Sequence, residues 1–109
     1  MNLHISLLIN DRRTKQSFIL YFSSEDEDLL RFNWHPLLSK RSKSPYARTT
    51  HKQKTLLMHR LILERILGRP LEKGETVDHI NGDGLDNCRS NLRLATNSQN
   101  KASAGKQRN

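Results

Sequence analysis

The sequence predicts an α+β domain: short antiparallel strands and a helix in the N-terminal part, then a strand–loop–strand–helix unit. Three observations lead there. Leu3, Ile5, Leu7 and Ile9 alternate with His4 and Ser6, and Phe18, Leu20 and Phe22 alternate again after the polar stretch at 10–13. That pattern is a β-hairpin. Leu61, Ile62, Ile66 and Leu67 fall at helical spacing and meet a stop at Gly68-Arg69-Pro70. Finally, Thr76-Val77-Asp78-His79-Ile80 and Asn91-Leu92-Arg93-Leu94-Ala95 read as two strands around a loop rich in Gly, Asp and Asn.

The remaining elements fill the gaps. Ser24 and Glu27 match a capping box and predict a short acidic helix running to about Phe32. Residues 34–38, 46–49 and 54–57 read as strands joined by polar, basic connectors. Trp34 and Tyr46 suit core anchors better than base-stacking platforms, because single-stranded binders carry more aromatics than the 6% found here. Arg60 and Glu64 form an i, i+4 pair on the outer side of the 58–67 helix. His59 reads as a structural histidine first and a catalytic one second. Thr96 and Gln99 form a second capping box, which puts Asn100 in the first turns of a final helix. The chain divides into a strand-rich basic region (1–53), a core (54–101) and a flexible basic tail (102–109).

Composition narrows the function. In 109 residues there are 19 Lys+Arg against 11 Asp+Glu, a net charge of +8. So basic a domain favours a polyanion, usually nucleic acid. The charge sits mainly in residues 31–70, with ten basic side chains and one acidic. Arg41, Lys43, Arg48, Lys52 and Lys54 are candidates for a phosphate-facing surface, with Arg93 joining them. Cys88 is the only cysteine, which excludes a disulfide framework and a Cys-based structural zinc. A reducing, intracellular (cytoplasmic) setting fits. No apolar run reaches the roughly 18 residues of a membrane span, and MNLHISLLIN is no signal peptide.

The segment 77–100, VDHINGDGLDNCRSNLRLATNSQN, carries the chemistry. Asp78 and His79 end the first strand, and Asn100 faces them from the final helix. A neutral histidine with an ordinary pKa of ~6.5 takes a proton from water at physiological pH. A carboxylate and an amide carbonyl are hard oxygen ligands that suit Mg²⁺, with Mn²⁺ as a substitute. Mg²⁺ needs few protein ligands, so one Asp and one Asn suffice. Adjacent strand residues point to opposite faces, so the bend into the loop must bring Asp78 and His79 to one phosphate.

This pattern resembles the HNH endonuclease family, specifically its phage and intron-homing type. LLMHRLILERILGRPLEKGETV resembles the stretch preceding the motif, so the resemblance spans residues 54–101. It implies a ββα-metal fold and a metal-dependent nuclease acting on double-stranded DNA. It further implies His79 as general base, Asp78 and Asn100 as ligands of one Mg²⁺, and Asn91 as the middle residue that bonds across the loop to position His79. Asn87 is an alternative for the middle role. Asn97 is an alternative to Asn100, although at the first helical position its side chain more readily caps the helix.

Rival readings fare differently. An EF-hand template begun at Asn81 or Asp83 puts Leu85 where an oxygen ligand is required, and it fails. His35, His51 and His59 lack zinc-ligand spacing, and Cys88 has no partner for nucleophilic chemistry. The alternative of another class is a non-catalytic DNA-binding module that reads DNA with the basic middle block.

Overall fold

The computed structural model describes residues 3–40 and 44–96. Strands β1 (His4–Asn10) and β2 (Ser17–Ser23) form the expected antiparallel hairpin, with Ile5 opposite Phe22 and Leu7 opposite Leu20. The alternation pattern is decisive here, because Ile9, Leu20 and Phe22 drop into the core. Asp11 ends the turn by accepting from the Thr14 amide and hydroxyl at 2.8 and 2.7 Å.

The acidic stretch that follows departs from expectation. Ser24–Arg31 is a 3₁₀ helix rather than an α-helix, and no side-chain cap bond forms at its start. The Ser23 hydroxyl instead accepts from the Arg89 amide at 2.9 Å. Asp26 leaves helical geometry (φ −104°, ψ 22°) because its side chain turns inward. There it is fully buried. Its carboxylate accepts from Arg65 Nη1 at 3.0 Å and from Arg89 Nε and Nη2 at 3.0 and 2.8 Å.

Strands β3 (His35–Leu37), β4 (Tyr46–His51) and β5 (Lys54–Leu57) make a second antiparallel sheet. Lys52 and Gln53 form its tight turn, both with positive φ (51° and 68°), the primed geometry that matches strand twist. Trp34 is a core anchor, and its indole N–H donates to the Leu29 carbonyl at 2.7 Å. Helix α1 (Met58–Leu67) follows β5 directly and buries Met58 and Ile62 completely. Gly68 ends it in the left-handed region (φ 73°), donating its N–H to the Glu64 carbonyl at 2.8 Å. The Glu64 carboxylate does not pair with Arg60. It accepts from the Leu71 amide at 2.8 Å and so ties down the loop after the helix.

Strands β6 (Glu75–His79) and β8 (Leu92–Thr96) pair antiparallel, with Asp78 opposite Arg93 and His79 opposite Leu92. The loop between them contains the two-residue strand β7 (Asp86–Asn87) and a 3₁₀ turn, Arg89–Asn91. β7 joins the N-terminal hairpin instead of its sequence neighbours, lying parallel to β2 with Tyr21 opposite Asp86 and Phe22 opposite Asn87. One core, including Leu20, Phe22, Trp34, Met58, Ile62, Leu85 and Leu92, thus lies under all three sheets. The architecture is mixed α+β. Among the described residues no helix is long and apolar enough to cross a membrane.

Asp26→Ala would leave Arg65 and Arg89 without their shared buried carboxylate. Breaking such a network costs about 3–5 kcal/mol, a large share of what a small domain possesses. Urea denaturation should show a loss of that size, and a loss below about 1 kcal/mol would remove Asp26 from its structural role.

Candidate functional site

The site is built on the loop that joins β6 to β8. Asn91, buried at the end of the 3₁₀ turn, ties the two ends of that loop together. Its Oδ1 accepts from the Asn81 amide at 3.0 Å. Its Nδ2 donates to Asn81 Oδ1 at 3.0 Å and to the Asp86 carbonyl at 2.8 Å. The Ile80 amide donates to the Asn91 carbonyl at 2.9 Å. Asn81 extends the network, donating to Asp86 Oδ2 at 2.9 Å. The residues directly after His79 are therefore fixed on both sides.

The same loop is pressed against residues 44–46. The Gly84 amide donates to Ser44 Oγ at 2.8 Å. A Cβ at Gly84 would lie 2.3 Å from the Pro45 carbonyl oxygen and 2.9 Å from the Tyr46 ring. Only glycine allows this approach, and the approach carries Tyr46 to the edge of the site.

His79 sits between an amide and two rings. Its Nε2 lies 2.8 Å from Oδ1 of the fully buried Asn87. Its ring centroid is 5.8 Å from that of Tyr46 and 5.3 Å from that of His59, which are themselves 4.8 Å apart. His59 is 8% exposed. Burial, then the neighbouring His79 and Arg60, push its pKa down to about 4, so it is neutral at physiological pH. The structure thus buries His59, as a structural histidine would be, and adds its contact with His79. His59 Nδ1 and Asn87 Nδ2 are buried without a hydrogen-bond partner among the described residues, and both belong to side chains that touch His79.

Asp78 points the other way along the strand, as alternation requires. Its Oδ2 accepts from Arg93 Nε at 2.6 Å. Arg93, expected to face DNA, is therefore engaged on the neighbouring carboxylate. Even so, Asp78 and His79 both line one pocket of about 150 Å³, together with Ser44, Tyr46, Gly82 and Gly84. A wider cavity of about 490 Å³ lies elsewhere, between β1 and residues 30–35, where Leu7, Leu8, Leu30 and Phe32 share the lining with the polar Asn10, Arg12 and Asn33.

The donor chemistry fits a hard divalent cation in part: the half-exposed Asp78 carboxylate borders the pocket and is the ligand type that Mg²⁺ favours. No group of three acidic, histidine or cysteine side chains gathers around a common point among the described residues. Asn100, Asn97, Arg41 and Lys43 lie outside the described residues. Arg48, Lys52 and Lys54 are exposed on the β4–β5 hairpin. Three contributors were not assigned to the site from sequence: Tyr46, Gly84 and the direct contact of Asn87 with His79. Only the Gly-Asp-Gly spacing around Gly84 offered a signal.

Residues 56–102 match the family model described as HNH endonuclease. No curated protein and no solved structure matches the chain.

Protonating His59 is harder in the folded chain, with a pKa of about 4, than in the unfolded chain at ~6.5. The unfolded state therefore binds more protons between those values, and stability falls as pH drops from about 6.5 to about 4. The slope approaches 1.4 kcal/mol per pH unit. His59→Phe should flatten the dependence of the urea midpoint on pH in that window. An unchanged slope would place the acid sensitivity elsewhere.

Proposed function

We propose, from the match of residues 56–102 to the HNH endonuclease family model, that the chain is a Mg²⁺-dependent endonuclease. Its substrate would be double-stranded DNA, nicked in one strand or cut in both. The observation that carries the reading is the joint placement of Asp78 and His79 on one small pocket, beneath a loop pinned by Asn91. In the ββα-metal arrangement β6 and β8 would be the two strands. The expected helix with Asn100 lies outside the described residues.

His79 is the general base of this reading. One ring nitrogen takes a proton from water while the water oxygen forms a bond to phosphorus. The bond from phosphorus to the leaving sugar oxygen breaks, and that oxygen is protonated from solvent. Asn91 acts by geometry: it fixes the loop so that the His79 ring stays at the pocket wall. Asp78 and Asn100 would hold the cation. When bound, Mg²⁺ supplies Lewis-acid polarisation of the phosphate and charge for the leaving oxygen.

The basic side chains divide by partner. Arg65, Arg69 and Arg89 are neutralised by internal carboxylates. Arg48, Lys52 and Lys54 have no carboxylate partner among the described residues. They belong to residues 29–63, which hold eight basic and no acidic side chains. Tyr46, Arg48 and Thr50 alternate onto one face of β4, and Tyr46 borders the pocket. Arg48 therefore stands about 7 Å further along the strand, within reach of a phosphate next to the one being cut. Arg41 and Lys43, outside the described residues, are proposed as phosphate contacts from the sequence alone. Arg93 bonds Asp78 through Nε and is 65% exposed, which leaves its other guanidinium nitrogens for a DNA phosphate. A phage or mobile-element setting inside the cell accords with the branch that the motif resembles.

A plasmid-nicking assay with and without Mg²⁺ tests the reading. Wild type should nick only with the metal, and His79→Ala should lose about 100-fold or more in rate while still binding DNA. Binding without any Mg²⁺-dependent nicking by wild type would favour the DNA-binding module. On the binding side, Arg48→Glu combined with Lys52→Glu should weaken association with every sequence and make log K less steep in log salt, by about 0.9 for each phosphate no longer neutralised. An unaltered slope would move the DNA surface off the β4–β5 hairpin.

A further inference from the structure

We infer that Asn87 is the positioning residue of His79, and that it selects Nδ1 as the nitrogen that receives the proton. The inference rests on His79 being the base, and it adds which nitrogen acts and what decides it. A neutral imidazole has one N–H and one lone pair, and the partner of one nitrogen fixes the role of the other. Nε2 lies 2.8 Å from an amide oxygen, Asn87 Oδ1. Oδ1 only accepts, so Nε2 carries the hydrogen and Nδ1 keeps the lone pair.

The backbone that carries Asn87 is held on both sides, while Asn87 Nδ2 has no hydrogen-bond partner among the described residues. Asn87 is fully buried, and in β7 it lies opposite the equally buried Phe22 of β2. One residue earlier, the Asp86 carbonyl accepts from Asn91 Nδ2 at 2.8 Å. One residue before that, the Leu85 carbonyl accepts from the Tyr21 amide at 2.8 Å. The side chain thus hangs from a backbone clamped by the N-terminal hairpin on one side and by Asn91 on the other. Strand β2 lies outside the family-matched residues 56–102 and supports the backbone that carries Asn87. Turning the amide over would aim Nδ2 at Nε2, reverse the tautomer and leave Nδ1 bearing the hydrogen. The two arrangements make opposite spectroscopic predictions.

The test uses the full chain labelled with ¹⁵N-histidine, with His79 assigned by comparison with His79→Gln. Two-bond ¹⁵N–¹H correlation at about pH 9, above the ordinary imidazole range, should report His79 with its hydrogen on Nε2. Asn87→Asp keeps an acceptor in place and should keep that tautomer. Asn87→Leu removes it and should give a mixed tautomer. In nicking assays Asn87→Leu should lower kcat about 100-fold with KM and DNA affinity unchanged. A wild-type His79 protonated on Nδ1 overturns the inference. So does an Asn87→Leu protein that retains both the Nε2–H tautomer and the wild-type rate. Should Asn87→Leu fail to fold, the wild-type and Asn87→Asp spectra still decide. Failure of wild type to nick DNA would overturn the nuclease reading alone, because the tautomer is read without any reaction.

Discussion

A carboxylate withdrawn from water must be answered by positive charge, and in this protein that requirement organises the fold. Asp26 is fully buried and is met by Arg65 from α1 and Arg89 from the β6–β8 loop. Neither arginine can be replaced by solvent there, because Coulombic attraction offsets desolvation only while the geometry holds. Asp28 and Glu25 extend the same contacts outward, Asp28 to Arg65 at 2.6 Å and Glu25 to Arg89 at 3.6 Å. The 3₁₀ segment, the helix and the loop are thereby fixed to one another, and the Arg89 amide is delivered to Ser23. This locks the start of the loop's return path into β8.

Much of the scaffold was legible in the sequence. The alternation of Ile5, Leu7 and Ile9 gave the hairpin, and the 3.6-residue period of α1 with Gly68 gave the helix and its end, because these patterns are local. Asp26 was not legible. Within Ser-Glu-Asp-Glu-Asp one acid looks like the next, and which one turns inward depends on partners 39 and 63 positions away. The same reason hid the contact of Asn87 with His79, since a two-residue strand pairing with the N-terminal hairpin leaves no periodic trace. The residues proposed for chemistry came from motif and spacing. That Tyr46 and His59 stand against His79, with Gly84 pressed on Tyr46, came only from the fold.

The surroundings of His79 show how a small protein makes a defined environment with few atoms. Two rings and one amide enclose the imidazole, and the neutral state of His59 spares it a second positive charge at 5.3 Å. On the other side of the strand the Asp78 side chain accepts a hydrogen bond from the Arg93 guanidinium. One backbone turn separates a nearly apolar wall from a solvated ion pair. That contrast lets adjacent residues differ in role.

The parallel β2–β7 pair has a consequence for how the molecule is made. Its two strands are separated by more than sixty residues, and contacts of such long range are slow to form because the intervening chain must first be ordered. The β1–β2 hairpin can close as soon as it leaves the ribosome. Until residue 87 has been synthesised, however, the inner edge of β2 has no partner and Asp26 lacks its second arginine. The outer edge of the hairpin carries Leu3 and Leu8, both more than half exposed, and an unpaired apolar strand is a template for association. Nascent chains are therefore most exposed to misassembly along this hairpin, and the pocket can close only after residue 87 has been made.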